Sequence, residues 1–327
     1  SWSDAVAQQL AAREQPLSEP QRLGTASERV LEKTLRSTLA HSPVDRPSSG
    51  AEMAARLRLA LHPEAAGLFD PGEASLRSRL TRISPWLVAG TAILLPNIAA
   101  GVFNYMYNHQ EILDEQMLEG LDRIAFCVNS VAYPLAIPVM VWFAWGLARG
   151  VKSANEGTAV LPEDVSDTVN LGHRAALIGG TFWTIAGIIY PLALWWMYPD
   201  FTTTQAVHFF VSLLICGGVA MIYPFFCLAV ISTMVYYPHL LRGSMQDNDF
   251  DARAQQMVRR SEAYLLIAAI IPLLGAALLI SSESQSRGFM LTAIAAGVIG
   301  LLASFVAYRL VSDRWARMGE VLSSRSS

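Results

Sequence analysis

VHFFVSLLICGGVAMIYPFFCLAVISTMVY, residues 207–236, contains no aspartate, glutamate, lysine or arginine. A stretch of about 20 apolar residues is enough to cross the hydrocarbon core of a bilayer as an α-helix. The stretch therefore predicts a membrane-spanning helix, and its extra length lets the helix tilt or extend beyond the bilayer.

Five further apolar stretches accompany this one. They lie at roughly 84–105, 124–148, 174–197, 264–281 and 289–309. The chain is 53% apolar and 16% charged, which is too apolar for a soluble domain. Residues 1–83, in contrast, carry many charges. We therefore predict an all-α fold, in which a small cytoplasmic helical segment is followed by a six-helix transmembrane bundle.

Arginine and lysine residues are concentrated in alternate connections between the predicted spans. The connection 106–123, in contrast, carries five acidic residues and one arginine. Because basic segments stay in the cytoplasm, both termini are predicted to be cytoplasmic. Arg77, Arg79 and Arg82 precede the first span, and we expect them to bind anionic lipid headgroups at the inner surface.

Prolines lie inside five of the six predicted spans. A proline removes a backbone donor and kinks a helix, so these positions are candidate hinges. The alternative is that proline is simply common in membrane helices. The candidate hinges are Pro96, Pro134, Pro191, Pro224 and Pro272.

The connection 106–123 is the largest segment predicted to face outward. Its acidic residues and neighbouring polar side chains could bind a cation or a small polar ligand, and an ordinary solvated loop is the alternative. The candidate sensing residues are Asn104, Tyr107, Asn108 and Glu111.

Glu28 to Leu61 reads ERVLEKTLRSTLAHSPVDRPSSGAEMAARLRLAL. Apolar residues at helical spacing predict an amphipathic helix that Ser27 can cap. Pro43 and Pro47 then break the helix, and Ser48 or Ser49 can cap a second helix that ends near residues 62–63. Any small helix–loop–helix would fit these features.

The run from Leu35 to Leu57 is also similar to the last subdomain of bacterial serine/threonine protein kinases, which has a leucine-rich helix, a Pro-x-x-Arg-Pro loop and a final helix. Pro43, Arg46 and Pro47 match that loop. In the family the loop arginine pairs with a buried glutamate that follows the activation segment. The resemblance implies that this partner lies upstream of Ser1, so Arg46 is expected to be exposed or paired differently.

The membrane part resembles a region attached to some bacterial kinases of this class. The residues that carry the likeness are Leu94-Leu95-Pro96-Asn97, Gly101-Val102-Phe103-Asn104-Tyr105, Tyr133-Pro134 and Tyr223-Pro224-Phe225-Phe226. The resemblance implies four segments. These are kinase-like C-terminal helices at 1–65, a basic juxtamembrane linker at 66–83, a six-span membrane domain at 84–309 and a cytoplasmic tail at 310–327.

The sequence contains no Gly-rich phosphate loop, no Val-Ala-x-Lys strand, no His-Arg-Asp loop and no Asp-Phe-Gly. Catalytic, cofactor-binding and metal-binding residues are therefore not assigned in this chain. The resemblance implies that ATP, magnesium and protein substrates belong to an N-terminal part of the parent kinase. No basic groove or aromatic platform suggests nucleic acid.

The expected role is that of the membrane anchor of such a kinase in a bacterial inner membrane. The bundle could also sense a signal or pair the protein as a homodimer. The alternative is a small multi-pass transporter or channel with a soluble appendage. The spans hold almost no ionisable groups and show no evident inverted repeat, which counts against transport.

Overall fold

The computed structural model describes residues 2–14, 24–72, 74–109, 113, 115–281 and 287–323. All regular secondary structure in these ranges is helical, including a 3-10 turn at Pro43–Asp45 and a π-helical segment at Ser232–Tyr236. The α-helices are α1 (Trp2–Glu14), α2 (Ala26–Thr38), α3 (Gly50–Leu61), α4 (Pro63–Phe69), α5 (Leu76–Leu80), α6 (Pro85–Tyr107), α7 (Glu115–Glu156), α8 (Pro162–Met197), α9 (Thr203–Ile231), α10 (Tyr237–Leu241), α11 (Phe250–Ser281) and α12 (Arg287–Leu322).

Six helical stretches are long and apolar enough to cross a membrane, which confirms the prediction of a multi-pass membrane protein. They are Pro85–Tyr107, Glu115–Glu156, Pro162–Met197, Thr203–Leu241, Phe250–Ala277 and Ile294–Leu322. Each of the predicted spans lies on one of the six helices.

Several helices extend well beyond the predicted spans. α12 continues to Leu322, so residues 310–322 of the predicted cytoplasmic tail are helical, and their location in the cytoplasm stays a prediction. The extension is amphipathic, and its side chains at Val311, Trp315 and Met318 are buried. Their spacing of three to four residues places them on one face of a helix that packs against the protein.

The predicted outward-facing loop 106–123 is also largely helical. α6 ends at Tyr107 and α7 begins at Glu115, so only a short connection remains. Met117, Leu121 and Ile124 are buried on one face of the first turns of α7. Because polar residues separate these buried side chains, hydropathy alone does not predict this helical turn.

α9 forms the centre of the bundle. Half of the apolar window that contains it is buried inside the protein, against 6–22% in the other five helical stretches. α9 contacts α6, α8, α11 and α12. Phe209, Ala220 and Ile222 are among its fully buried side chains. The most apolar stretch of the sequence is therefore the one that the other helices surround.

Two glycines let α8 approach α9 closely. A Cβ atom added at Gly172 would lie 3.0 Å from the carbonyl oxygen of Phe225, and one at Gly179 would lie 3.1 Å from that of Ala220. Small residues at such positions allow membrane helices to pack backbone against backbone.

We expect Gly179→Leu to destabilise the bundle by about 1–3 kcal/mol, because a larger side chain must separate two packed backbones. The measurement is thermal unfolding in detergent, followed by tryptophan fluorescence. Gly101→Leu is the matched control, since a Cβ atom there meets nothing within 4 Å. Equal stability of the two variants would contradict this account of the α8–α9 contact.

The five candidate hinge prolines all lie inside helices that continue through them, and their role as hinges stays a prediction. The helical backbone departs from α-helical geometry in the π-helical segment Ser232–Tyr236, which ends just before Pro238. Pro238 has no backbone N–H, and its ring would clash with the carbonyl of Met234 in a regular α-helix. A wider turn removes that clash.

Candidate coupling site

Local side-chain caps begin α2 and α3 of the segment that precedes the membrane helices. Thr25 Oγ1 accepts a hydrogen bond from the Glu28 amide at 3.2 Å, and the Glu28 carboxylate accepts one from the Thr25 amide at 3.0 Å. This is a capping box, so the prediction of Ser27 as the cap is wrong. Only a cap at residue 25 places Glu28 at the third helical position, where its carboxylate can accept a hydrogen bond from the amide of the cap residue.

α3 begins in a similar way, with Ser49 as its cap, as one of the two predicted alternatives. Glu52 accepts hydrogen bonds from the Ser48 amide at 2.8 Å and the Ser48 hydroxyl at 2.7 Å, and Arg56 donates to its other oxygen. Burial by itself would raise the pKa of Glu52, but the Ser48 hydrogen bonds and the charge of Arg56 lower it overall.

Asp70 lies at the end of α4, and its side chain is only 6% exposed. Arg29 Nε donates to one carboxylate oxygen at 2.9 Å, while Lys33 Nζ at 2.5 Å and a guanidinium nitrogen of Arg242 at 3.1 Å donate to the other. We call these four residues the Asp70 cluster. Arg29 and Lys33 come from α2, whereas Arg242 follows α10 in the membrane bundle. One carboxylate therefore connects the soluble segment to the bundle.

The same arginines also bind backbone carbonyls at the end of α4. Arg29 donates to the carbonyl oxygen of Asp70 at 2.9 Å, and Arg242 donates to that of Phe69 at 3.2 Å. The last carbonyls of a helix have no partner within the helix and carry partial negative charge, so cations there are stabilising.

The end of α12 adds a second set of contacts with the segment. Glu64 of α4 pairs with Arg317 at 2.5 Å and Arg314 at 3.8 Å, and the imidazole of His62 lies 3.1 Å from the Glu320 carboxylate. Exposed pairs of this kind contribute little individually. We call these pairs together with the Asp70 cluster the coupling site.

Apolar packing lies beneath these charges. Ala66, Leu68 and Phe69 of α4 belong to the same hydrophobic core as Leu240 of α10 and Met318 of α12. Burial of apolar surface contributes about 25 cal/mol per Å², so this shared core supplies most of the attraction between segment and bundle. The charged contacts then fix the orientation in which the two parts meet.

Arg77, Arg79 and Arg82 do not act alike. Arg79 and Arg82 are exposed, as contact with lipid headgroups requires. Arg77 is half-buried and donates to the carbonyl oxygen of Gly67 at 3.1 Å. Burial, followed by the charge of Arg314, lowers the pKa of Arg77. Its guanidinium therefore donates at least one hydrogen bond within the protein, and its contact with lipid headgroups stays a prediction.

The Pro-Val-Asp-Arg-Pro loop lies away from the coupling site. Pro43 begins the 3-10 turn, and Pro47 precedes the cap of α3. The exposed Arg46 side chain donates to the carbonyl oxygens of Ala40 at 2.8 Å and His41 at 3.2 Å. These bonds close the loop on itself.

The candidate sensing residues are not on an exposed surface. Tyr107 is 2% exposed, and Asn104 and Asn108 are buried against α9. Asn108 Nδ2 donates to Ser212 Oγ at 3.1 Å and to the carbonyl oxygen of Asn104 at 2.8 Å. Amide and hydroxyl groups join helices in this way in an apolar environment. These three residues therefore pack α6 against α9, and Glu111 lies outside the described residues.

The Asp70 cluster was not predicted from the sequence. The one available signal was the spacing of Arg29 and Lys33, which places two cations on one face of a helix. Their carboxylate partner lies 41 and 37 residues away along the chain, and Arg242 lies 172 residues from Asp70. Such pairings cannot be found from local spacing.

No protein-family model, curated protein or solved structure matches the chain. Nothing beyond the residues quoted above therefore links it to a kinase. Among the residues that the structure describes, no group of three or more His, Cys, Asp or Glu side chains could hold a metal ion.

We expect Asp70→Asn to loosen the contact between α2 and the bundle by about 1–3 kcal/mol, because hydrogen bonds from three cations to a carboxylate are weakened. Hydrogen exchange of the α2 and α4 amides should become faster. Asp45→Asn is the control, since Asp45 is exposed and forms no ion pair in the described chain. Unchanged protection in Asp70→Asn would contradict the role given to this cluster.

The coupling site should weaken in acid. Burial by itself would raise the pKa of Asp70, but hydrogen bonds and charges from Lys33, Arg29 and Arg242 lower it overall. An Asp whose folded pKa is lowered contributes stability that is present above its unfolded pKa of about 3.9 and is lost as pH falls through the folded value.

Pulsed electron paramagnetic resonance tests this expectation through spin labels at the exposed positions Leu39 and Ala316, after the native cysteines are replaced by alanine. The label distance should stay constant from pH 7 to about pH 5 and broaden below about pH 4. Asp70→Asn should show a weaker acid response. An acid response of the same size in this variant would exclude Asp70 as its source.

Proposed function

We propose that this chain is the membrane anchor of a serine/threonine protein kinase. ATP- and magnesium-dependent phosphorylation of protein substrates belongs to a catalytic part N-terminal to the segment described here. The six-helix bundle holds that part at the inner surface of a bacterial cytoplasmic membrane, with both termini in the cytoplasm.

The coupling site is the observation that carries this proposal. An anchor with a flexible tether would leave the soluble segment free, whereas here Asp70, Arg242 and a shared apolar core hold α2 and α4 against the bundle. A catalytic part that continues from the segment would be held in one orientation relative to the membrane. This arrangement suits a protein whose kinase activity depends on the conformation of the membrane bundle.

The helix–loop–helix of residues 26–61 supports the kinase assignment. α2, the 3-10 turn at Pro43–Asp45 and α3 occur in the order that the resemblance implies. Leu31 and Leu35 are exposed on α2, and Leu39 is exposed at its C-terminal cap, at positions four residues apart. Exposed leucines in a row are unusual on a soluble helix and suit a surface that another part of the protein covers.

The experiment is to sequence the coding region upstream of Ser1, and to express and purify the product of the complete reading frame. That protein is incubated with ATP, magnesium and a general acceptor protein, and phosphoserine and phosphothreonine are measured. The 327-residue chain alone is the matched control and should transfer no phosphate, because the groups that hold nucleotide and metal are missing from its sequence.

Phosphorylation by the complete product, and none by the control chain, would support the proposal. A complete frame without a Gly-rich loop, a lysine strand and the His-Arg-Asp and Asp-Phe-Gly motifs would overturn it. Transport or binding by the bundle would then become the better hypothesis.

A further inference from the structure

A second polar cluster joins α8 and α11 away from the coupling site. The His173 Nδ1 atom lies 2.9 Å from the Tyr264 hydroxyl, and Arg260 donates to the side-chain oxygen of Asn170. Arg174 is next to His173 on α8. Two side-chain hydrogen bonds therefore bridge the third and fifth membrane helices at one level.

The cluster holds more positive than negative charge. Arg174 pairs with Asp167 at 2.7 Å, but Arg260 has no carboxylate partner among the described residues, and its one side-chain bond is to a neutral amide. Arg260 is half-buried, and its partner Asn170 lies one turn before Arg174 on α8, which places the two arginines beside the same part of that helix. A cation removed from water without a counter-charge is costly, so the arrangement favours a bound anion.

Carboxylates elsewhere on the neighbouring helices do not fill this role. Glu262 is the closest acidic residue to Arg260 along α11, and its carboxylate accepts a hydrogen bond from Tyr308 of α12. The Arg174 guanidinium also makes a cation–π contact, since it lies over the Phe143 ring of α7, 4.9 Å from the ring centre. A cation over an aromatic ring is attracted to the ring face, and the guanidinium N–H groups that do not bind Asp167 remain available to a further acceptor.

The depth of the cluster identifies the class of anion. The apolar stretches predicted from the sequence begin at residues 174 and 264, so Arg174 and Arg260 lie where the hydrocarbon core meets the headgroup layer. They are on the side of the basic connections, which is predicted to face the cytoplasm. Lipid phosphates occupy this layer, and a planar guanidinium matches two phosphate oxygens.

We propose that Arg174 and Arg260 bind the phosphate of an anionic phospholipid where α8 and α11 meet. His173 and Asn170 line the same site and hold its two sides together. The site is distinct from the exposed Arg79 and Arg82, which face the membrane surface from outside the bundle. It does not depend on the kinase proposal.

The test uses the full chain in nanodiscs that contain equal amounts of phosphatidylglycerol and phosphatidylcholine. Native mass spectrometry then counts the lipids that remain bound to the protein after it is released from the nanodiscs. The wild type should retain phosphatidylglycerol in preference to phosphatidylcholine. Arg260→Gln should weaken that retention about fivefold, the amount expected for one interfacial cation.

Arg259→Gln is the matched control, because Arg259 is the exposed neighbour of Arg260 on the same helix and forms no ion pair in the described chain. It should retain phosphatidylglycerol as the wild type does. An equal loss in both variants would overturn the proposal, since any interfacial charge would then suffice. Equal retention of the two lipids by the wild type would overturn it without any variant.

A third arm separates a lipid from a soluble phosphate. Inorganic phosphate is added to the protein in nanodiscs of phosphatidylcholine alone, and thermal stability is compared with that in nanodiscs containing phosphatidylglycerol. Stabilisation by phosphatidylglycerol alone supports the lipid site. Equal stabilisation by free phosphate would overturn the lipid assignment. If Arg260→Gln does not fold, Arg174→Gln replaces it with the same expected loss.

Discussion

The hydrocarbon core supplies no water to hydrogen-bond a free peptide group, and this constraint determines the architecture of the chain. Every membrane segment must satisfy its backbone internally, and α-helices do so within a single segment. The chain meets the constraint with six long helices, the most apolar of which is surrounded by the others. The glycines at positions 172 and 179 then allow the α8 and α9 backbones to come close enough for dispersion contacts to hold them together.

A different balance applies at the end of the bundle that contacts α2 and α4, where charged side chains are abundant. Several helices continue out of the membrane, and their apolar faces form a core with the soluble segment. Asp70 is ionised at neutral pH, because three cations stabilise its charge in a buried position. An apolar core alone would tolerate several orientations, whereas the directed bonds of one carboxylate favour a single orientation. The two halves of the chain are therefore one structural unit.

The sequence predicted the apolar centres of the helices more accurately than their ends. Residues 207–236 are uniformly apolar and could be assigned from composition alone, whereas the first turns of α7 mix buried Met117 and Leu121 with acidic neighbours. Asn104 and Asn108 are candidate ligand-binding residues in the sequence because they lie in or beside the largest segment predicted to face outward. Their bonds to Ser212 depend on the approach of a helix about a hundred residues away in the chain, which hydropathy does not report.

The sequence by itself determined that this is an all-helical, multi-pass membrane protein, because the length and apolarity of each span are local properties. It also predicted that two short helices separated by a proline-containing loop precede the spans, although the cap of the first helix is Thr25 and not Ser27. Only the tertiary structure decided which charges meet. Arg242 contacts Asp70 and Arg260 contacts Asn170 because helix packing brings distant parts of the chain together. The spacing of these residues along the sequence does not predict those contacts.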